Sequence, residues 1–291
     1  MGRVGEILQA FPPAADLVDG VGGVAYTGRV GYPGAKTSAG VRQRIISEFP
    51  PHRVYIEPFV GSGFVLLGKR PAAVSVVLDL DGAVVAGVVT GARGIGFSAV
   101  VKTAWQLAAE SLTIAGAGRL VCLQRPQSLV GVVGCGVEFL EAFAPVGDEL
   151  VYCDPPYLVS RRGRRRSRLY QFEMREASEH ERLLRRLLDL KCAVAISGYP
   201  TPLYRGLLRR WRHVRFTTST RGGPAVEFLW CNFPRPSVLF DASYFGGDRR
   251  RRQDWRRLVR RMEARFRSLG VTRRVALLDF LQRRLGSGAG D

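Results

Sequence analysis

The segment Asp154-Pro155-Pro156-Tyr157 follows an apolar stretch, ELVYC, at residues 149–153. Proline lacks the backbone N–H that a strand ladder needs, so a strand formed by the apolar stretch must end there. Each proline also favours an extended conformation in the residue before it, which makes the segment stiff. We therefore expect Asp154 and Tyr157 to be held rigidly at the C-terminal end of a strand, the edge where open α/β sheets bind ligands.

These four residues suit a substrate whose amino group is conjugated to an aromatic ring. Such a nitrogen is a poor nucleophile because its lone pair is delocalised into the ring. If the Asp154 carboxylate and the Pro155 carbonyl each accept one N–H hydrogen bond, the lone pair becomes available for in-line attack on a methyl group. Tyr157 can stack on a base that has left the duplex. The stiff pair Pro155 and Pro156 fixes the acceptors before the base arrives.

A second candidate site is the glycine-containing turn of EPFVGSG, residues 57–63. Gly61 and Gly63 permit a tight turn and a close approach of the backbone to a ligand. Asp79 ends the next predicted strand, where acidic residues of dinucleotide folds bind ribose hydroxyls. The GxGxxG spacing and a basic cradle for a pyrophosphate are both missing from the sequence. A cofactor with a ribose and without phosphates is therefore expected, and S-adenosylmethionine fits that description.

The predicted elements around these residues indicate an α/β fold. A helix at 41–49 precedes a strand at 53–59, and after the glycine turn and a short helix a second strand runs over 72–81. This order, ending in an acid, is typical of the opening of a nucleotide-binding unit. Further strands are predicted from CAVAISGY at 192–199 and AVEFLWCNF at 225–233.

Four further residues have structural interpretations. The leucines of SEHERLLRRLLDL predict an amphipathic helix, with Ser178 and Glu181 as its capping box. His180 lies in the first turn of that helix and is expected at the surface. Cys153 precedes the acid of the proline segment on the same strand, so the two side chains should point to opposite faces. Core packing of Cys153 is therefore favoured over covalent catalysis.

The net charge of +19 comes almost entirely from arginine. Two clusters stand out: RRGRRRSR at 161–168 and DRRRRQDWRRLVRRMEARFRS at 248–268. Because arginine is suited to bidentate phosphate contacts, a polyanionic partner, nucleic acid, is favoured. A membrane surface stays open for the second cluster, whose apolar residues from Trp255 to Phe266 have helical spacing.

Other features of the sequence exclude several classes of protein. The five cysteines are scattered without a CxxC pair, which argues against a zinc site and a disulfide framework. No apolar run reaches the roughly 20 residues that a membrane-spanning helix needs. The N-terminus shows no basic segment followed by an apolar one, as a signal peptide would. We expect no metal, no membrane partner and a cytoplasmic location.

Five segments in order resemble the Dam-like N6-adenine DNA methyltransferases, above all their solitary and phage-borne members. They are YPGAK (32–36), EPFVGSG (57–63), LDLDG (78–82), DPPYL (154–158) and ISGY (196–199). The resemblance covers residues from about 30 to 235. It implies a Rossmann-like S-adenosylmethionine-dependent methyltransferase fold and site-specific methylation of adenine N6 in double-stranded DNA by base flipping.

The resemblance also implies roles for individual residues. The counterparts of Tyr32 and Lys36 contact the cofactor, that of Asp79 binds its ribose, and that of Asp154 lies between cofactor and adenine. Further cofactor contacts are expected at Glu57, Pro58, Phe59, Gly61 and Gly63. The loop after the proline segment is expected to contact the DNA backbone around the flipped base through Arg161, Arg162, Arg164, Arg165 and Arg166.

The expected organisation has an N-terminal extension at 1–31, a catalytic domain at 32–240 and a basic helical tail at 241–291. Within the catalytic domain, residues 83–147 are expected to form a small inserted subdomain for target recognition. This stretch is short, glycine-rich and poor in polar residues suited to base readout. Leu78 stands where the family often has Asn.

Three alternative functions stay open. The same chemistry on adenine in RNA is hard to separate from the DNA reaction by sequence. Methylation of a protein glutamine amide is disfavoured by the basic charge and because the related enzymes usually carry Asn before Pro-Pro. A degenerate methyltransferase fold that only binds nucleic acid is the third. A monomer or weak dimer is expected, and a restriction-modification role stays open.

Overall fold

The computed structural model describes residues 40–103, 128–158, 174, 176–220, 223–246 and 248–286. The predicted N-terminal extension lies outside the described residues, as do Tyr32, Lys36 and the arginines from Arg161 to Arg166. The chain divides into two units, residues 1–241 and 242–291. The first unit carries a sheet with its helices, and the second carries the arginine-rich segment.

The described part of the first unit is built on one eight-stranded sheet. Its strands are β1 (Val54–Glu57), β2 (Val74–Asp79), β3 (Ser98–Thr103), β4 (Ser128–Val133), β5 (Glu149–Cys153), β6 (Ala193–Gly198), β7 (Arg212–Thr220) and β8 (Gly223–Cys231). They lie in the order β3-β4-β2-β1-β5-β6-β8-β7. β8 runs antiparallel to β6 and to β7, and the other pairs are parallel.

The described helices of the first unit connect these strands. They are α1 (Val41–Ile46), α2 (Phe64–Gly68), α3 (Gly82–Gly94), α4 (Gly136–Ala142), α5 (Ala177–Asp189) and α6 (Pro202–Leu207). Helices on the faces of a parallel sheet bury its strands on both sides, which then have continuous apolar sequences. All five residues of β5 are buried accordingly. The predicted α/β class with a mostly parallel, Rossmann-like sheet is thus confirmed.

The strand order reverses between β1 and β5. From β1 the chain continues outward through β2, whereas β5 is followed by β6 on the opposite side. In doubly wound sheets the crevice at such a reversal, outside the carboxyl ends of the strands, is where ligands bind. The glycine turn follows β1 and the proline segment follows β5, so both candidate segments lie at this reversal.

Much of the predicted insertion at 83–147 belongs to the main sheet. Residues 98–103 and 128–133 form β3 and β4, which pair with each other in parallel, and β4 pairs with β2. α3 packs between them, and a Cβ on Gly131 would come within 2.6 Å of Val89. The glycine and alanine content that indicated an insertion instead permits close packing of helix on strand. Residues 104–127 lie outside the described residues.

The helix predicted near residue 178 is present, with two corrections. α5 begins at Ala177, and its capping box is formed by Glu176 and Glu179, not by Ser178 and Glu181. His180, expected at the surface, is buried, and its Nδ1 lies 2.9 Å from the Tyr204 hydroxyl. His180 lies three and four residues before Leu183 and Leu184, so it shares their face of the helix and turns toward the sheet with them.

The described part of the second unit consists of a short 3₁₀ helix (Ala242–Tyr244) and two helices, α7 (Arg249–Ser268) and α8 (Val271–Gly286). Asp248 caps α7, since its carboxylate accepts a hydrogen bond of 2.8 Å from the Arg251 amide. No residue of α7 is buried. Among the described helices, none combines the length and the apolar character needed to cross a membrane.

Candidate active site

Asp154 directly follows β5 and is held by a chain of buried hydroxyls. The Ser197 hydroxyl, on the neighbouring strand β6, donates a hydrogen bond of 2.8 Å to Oδ1 of Asp154. The Tyr152 hydroxyl lies 3.1 Å from the same serine oxygen. Tyr152 and Ser197 are fully buried. Since the serine hydrogen points to the carboxylate, Tyr152 donates to Ser197, and the two hydroxyls together orient the carboxylate.

Tyr157 is positioned by two contacts on the β6–β8 side of the site. Its ring centroid lies 4.5 Å from that of Tyr199, at an interplanar angle of 38°. Its hydroxyl donates a hydrogen bond of 3.1 Å to Glu227 of β8. Glu227 is 3% exposed and also accepts a hydrogen bond of 2.9 Å from Thr218. The ring is therefore fixed at both its face and its hydroxyl, as a stacking platform for a planar ligand requires.

Glu57 is the last residue of β1. It lies near the Asp154 carboxylate and is buried together with Lys69. The Tyr55 hydroxyl donates a hydrogen bond of 2.9 Å to Glu57. Burial, and to a smaller extent the nearby charge of Asp154, raises the pKa of Glu57 to about 8, although the Tyr55 hydrogen bond acts in the opposite direction. Lys69 lies over the Tyr55 ring at 4.1 Å, and burial lowers its pKa to about 7. A proton can thus reside in this pair near neutral pH.

The turn after β1 has the backbone conformation that its glycines predicted. Gly61 and Gly63 have φ angles of 47° and 64°, in the left-handed region that favours glycine. Pro58 is buried, and a Cβ on Gly136 would lie 2.3 Å from its carbonyl oxygen. Phe59 is half-buried against the core. The start of α4 thus packs against the turn, whose backbone stays close to the edge of the sheet.

Asp79 ends β2 and is fixed by two backbone amides. The Gly61 amide donates a hydrogen bond of 3.1 Å to one carboxylate oxygen, and the Asp81 amide donates one of 3.0 Å to the other. Burial raises the pKa of Asp79, and the two amides oppose that shift. A carboxylate has about four acceptor positions, so an oriented Asp79 can still accept two hydroxyl hydrogens.

The sheet therefore brings four of the predicted residues together at the ends of three adjacent strands: Glu57, Asp79, Asp154 and Tyr157. Their proposed roles stay predictions. The roles of Tyr32, Lys36 and the five loop arginines fall on residues outside those described.

Sequence reasoning assigned no role to several residues that hold the site. Ser197 and Tyr199 lie in ISGY, and Glu227 lies in AVEFLWCNF. A hydroxyl or an acid inside an otherwise apolar strand is the available signal, because a buried polar group needs a partner. Which partner it has depends on strand pairing, which the sequence does not contain.

A covalent role for Cys153 finds no support in its surroundings. Cys153 is fully buried, as predicted, and burial raises the pKa of its thiol. A neutral thiol is a weak nucleophile. Among the described residues, no group of three or more His, Cys, Asp or Glu side chains is arranged to hold a metal ion.

Comparisons with other proteins give structural neighbours only. No protein-family model matches the sequence, and no curated protein is similar to it in sequence. A precorrin 8w decarboxylase from Methanobacterium thermoautotrophicum is 11% identical, with 68% of this chain and 91% of that chain covered, at a TM-score of 0.39. At such a TM-score the fold assignment rests on the strand order of this chain itself.

Two methyltransferases are among the other structural neighbours. The magnesium protoporphyrin IX methyltransferase of Synechocystis, with bound S-adenosylmethionine, is 12% identical over 63% of this chain and 71% of that chain, at a TM-score of 0.37. An rRNA methylase from Streptococcus thermophilus is 8% identical over 66% of this chain and 93% of that chain, at a TM-score of 0.35.

Proposed function

We propose that this protein transfers a methyl group from S-adenosylmethionine to the N6 amine of adenine in DNA. The observation that carries the proposal is the Asp154 carboxylate, which Ser197 holds at 2.8 Å beside the strand-order reversal. An acceptor fixed there, with a stiff Pro-Pro segment and a clamped tyrosine after it, suits activation of a conjugated amine. Further support comes from the order of the five motifs.

The cofactor pocket fits an adenosyl group without phosphates. Asp79 is oriented by two amides and retains acceptor capacity for two ribose hydroxyls. Gly61 and Gly63 adopt positive φ angles and leave the backbone open to a close ligand. When bound, S-adenosylmethionine supplies an electrophilic methyl group. Glu57, Pro58 and Phe59 form the near wall of this pocket in our proposal, and Tyr32 and Lys36 add contacts from the preceding segment.

Asp154 and Pro155 act on the target amine. The carboxylate and the carbonyl each accept one N–H hydrogen bond, which draws the nitrogen toward tetrahedral geometry and directs its lone pair at the methyl carbon. With S-adenosylmethionine bound, this nitrogen would take the methyl group as the carbon–sulfur bond of the cofactor breaks and S-adenosylhomocysteine leaves. The resulting cationic amine then loses one proton, for which the Asp154 carboxylate is the adjacent acceptor. Pro156 keeps the segment stiff.

Tyr157 holds the ring that carries this amine. Its hydroxyl is tied to Glu227 and its face lies against Tyr199. Stacking of a flipped base on an aromatic side chain contributes about 1–3 kcal/mol per base. A ring that is already fixed loses little conformational entropy when the base arrives.

Nucleic acid is the proposed substrate because of the charge of +19. The loop from Arg161 to Arg166 directly follows the catalytic segment, and we propose that these arginines contact phosphates around the flipped base. DNA is preferred to RNA on the resemblance of the motifs.

The decisive experiment is methyl transfer from labelled S-adenosylmethionine to unmethylated duplex DNA, with analysis of the product nucleosides. Asp154→Ala should abolish the product. Asp189→Ala, which removes an exposed acid of α5, is the matched control and should keep full activity. The proposal is supported if the wild type and the control both produce N6-methyladenine and Asp154→Ala produces none.

Each negative result has a distinct meaning. Product on RNA and none on DNA would transfer the same chemistry to RNA. Cofactor binding is tested separately, since a ligand at a hundred times its Kd should raise the free energy of unfolding by about 2.7 kcal/mol. No such stabilisation would make the protein a nucleic-acid-binding module and overturn the proposal.

A further inference from the structure

We propose that α7 lies in the major groove of duplex DNA and gives the protein a sequence-independent hold on it. This inference rests on the proposed function only in taking DNA as the substrate. α7 has 20 residues, among them ten arginines and two acids, for a net charge of +8. None of its residues is buried. A free charge of this density on one helix favours a polyanion.

The arginines of α7 occupy a wide arc of the helix. At 3.6 residues per turn, nine of the ten lie on an arc of about 220°. The apolar side chains occupy about 100° of the remaining arc, which also carries the tenth arginine, Arg251. The apolar residues are Trp255, Leu258, Val259, Met262 and Phe266.

Near its start, α7 contacts its own unit through Trp255 of the apolar side, whereas Leu258, Val259 and Met262 further along are exposed. The Trp255 ring lies 5.1 Å from the Phe245 ring, and its Nε1 donates a hydrogen bond of 2.9 Å to the Ala242 carbonyl. The 3₁₀ segment thus touches the apolar arc near the start of the helix. The arginine arc lies on the opposite side, where a partner can reach it.

Most of these arginines form no ion pair within the described part of the chain. Arg251, Arg257 and Arg267 pair with acids of their own helix or its cap, at 3.6, 3.7 and 2.6 Å. Exposed pairs of this kind contribute little and exchange readily with other anions. The other seven arginines of α7 make no ion pair with any residue that the structure describes.

The dimensions of α7 match the major groove of B-form DNA. A helix with its side chains is about 10–12 Å across, and the major groove is about 12 Å wide. An arginine arc of about 220° can face the phosphates of both walls at once, while the apolar arc points out of the groove. The major groove of A-form RNA is too narrow and deep for side chains to read. The helix therefore favours DNA over RNA.

Two other occupants fit the helix less well. A second copy of α7 would bring two charges of +8 together, which is repulsive. A lipid surface takes up a helix through its apolar face, which would turn most of the arginine arc away from the anionic headgroups. Of these three partners, only the DNA groove, with phosphates on both walls, can contact the whole arginine arc.

The test is binding of the full chain to a random-sequence DNA duplex, measured by fluorescence anisotropy across salt concentrations without cofactor. The test variant replaces Arg256, Arg257, Arg260 and Arg261 by Gln. The control variant removes the same charge from exposed positions of the first unit: Lys191, Arg209, Arg210 and Arg215, also to Gln. Each lost phosphate contact should lower the salt slope by about 0.9, so the test variant should lose about 3.6.

Between 50 and 200 mM salt, the loss of affinity should become about 150-fold smaller for the test variant than for the wild type. The control should keep the wild-type slope, and duplex RNA should bind both variants alike. Equal slopes for the two variants, an equal loss on duplex RNA, or a loss on phosphatidylserine vesicles instead of DNA would each overturn the proposal. Asp154→Ala should bind the duplex with the affinity of the wild type. The binding assay therefore tests α7, and the methyl-transfer assay tests the catalytic proposal separately.

Discussion

The two charged regions of this protein are built in opposite ways. At the ends of β1, β2 and β5, a few ionisable groups are buried or half-buried, and each is held by specific hydrogen bonds. Asp154, Asp79 and Glu57 accept these bonds from Ser197, from backbone amides and from Tyr55 respectively. On α7, ten arginines stand in solvent.

The difference concerns what each region can be used for. A buried carboxylate in a fixed position can act on one atom of a substrate, because little reorganisation accompanies the reaction. Exposed arginines have no fixed positions, and their effect on a polyanion is a sum over many weak contacts. Single substitutions should therefore have large effects at the strand ends and small ones on α7.

The largest expected effect is that of Asp154→Asn. An amide of the same shape presents an N–H where the carboxylate presented an acceptor, so kcat should fall by about 10²–10³. Single-turnover methyl transfer measures this loss, with Asp189→Asn as the control. DNA affinity should not change. Retention of more than a tenth of the activity would contradict the role given to Asp154.

The second prediction concerns stability against pH. Burial raises the pKa of Glu57 from 4.5 to about 8, so the folded chain holds its proton more tightly. This contribution is complete below pH 4.5 and is lost as pH rises toward 8. Lys69, with its pKa lowered from 10.5 to about 7, adds stability again from pH 7 to 10.5. The contribution of this pair to stability should therefore be smallest at about pH 7 to 8.

Glu57→Gln should remove the falling part of that profile. We expect the wild type to lose on the order of a few kcal/mol of unfolding free energy between about pH 5 and pH 8, and the variant to lose much less. Denaturant titrations at several pH values measure this. Glu263→Gln, on α7, is the exposed counterpart and should leave the profile unchanged. Identical profiles for Glu57→Gln and the wild type would disprove the assignment.

Ser197→Ala should reduce kcat about tenfold, since a hydrogen bond to a charged group contributes about 1.5 kcal/mol or more. The KM for the cofactor should stay nearly constant, because Ser197 orients the catalytic carboxylate. Tyr152→Phe keeps the ring and should have a smaller effect, and Ser197→Thr should restore part of the rate. If KM rises while kcat stays constant, Ser197 does not act through Asp154.

The smallest expected effect is that of Arg260→Gln. One phosphate contact changes the salt slope by about 0.9, which is about 3.5-fold between 50 and 200 mM salt. Anisotropy titrations with the random duplex resolve such a change. A loss of tenfold or more from this single arginine would make α7 a site of specific contacts and remove the contrast between the two regions.

Local sequence was sufficient to predict the candidate strand ends. The prolines after Cys153 stop a strand, and Gly61 and Gly63 mark a left-handed turn, because these residue types act on the backbone at their own positions. The α/β class followed from the order of apolar runs. The leucine stripe of α5 was predicted too. The burial of His180 was not, although its spacing of three and four residues from Leu183 and Leu184 places it on the same face of the helix.

Strand pairing decided the rest. Residues 98–103 and 128–133 look like an insertion in sequence, yet they extend the main sheet as β3 and β4. These two strands pair with each other although they are distant in the chain, so local sequence does not show the pairing. The partners of the catalytic segment are equally distant: Ser197 is 43 residues from Asp154, and Glu227 is 70 residues from Tyr157.

The sequence by itself determined which residues can do chemistry and where strands and turns end, because those properties are local. The tertiary structure alone decided which hydroxyl orients Asp154, which acid holds Tyr157 and which buried lysine faces Glu57. Each of these contacts needs a neighbour brought close by the sheet. A polar residue inside an apolar strand indicates that a buried group will need a partner. Only the folded chain shows which residue that partner is.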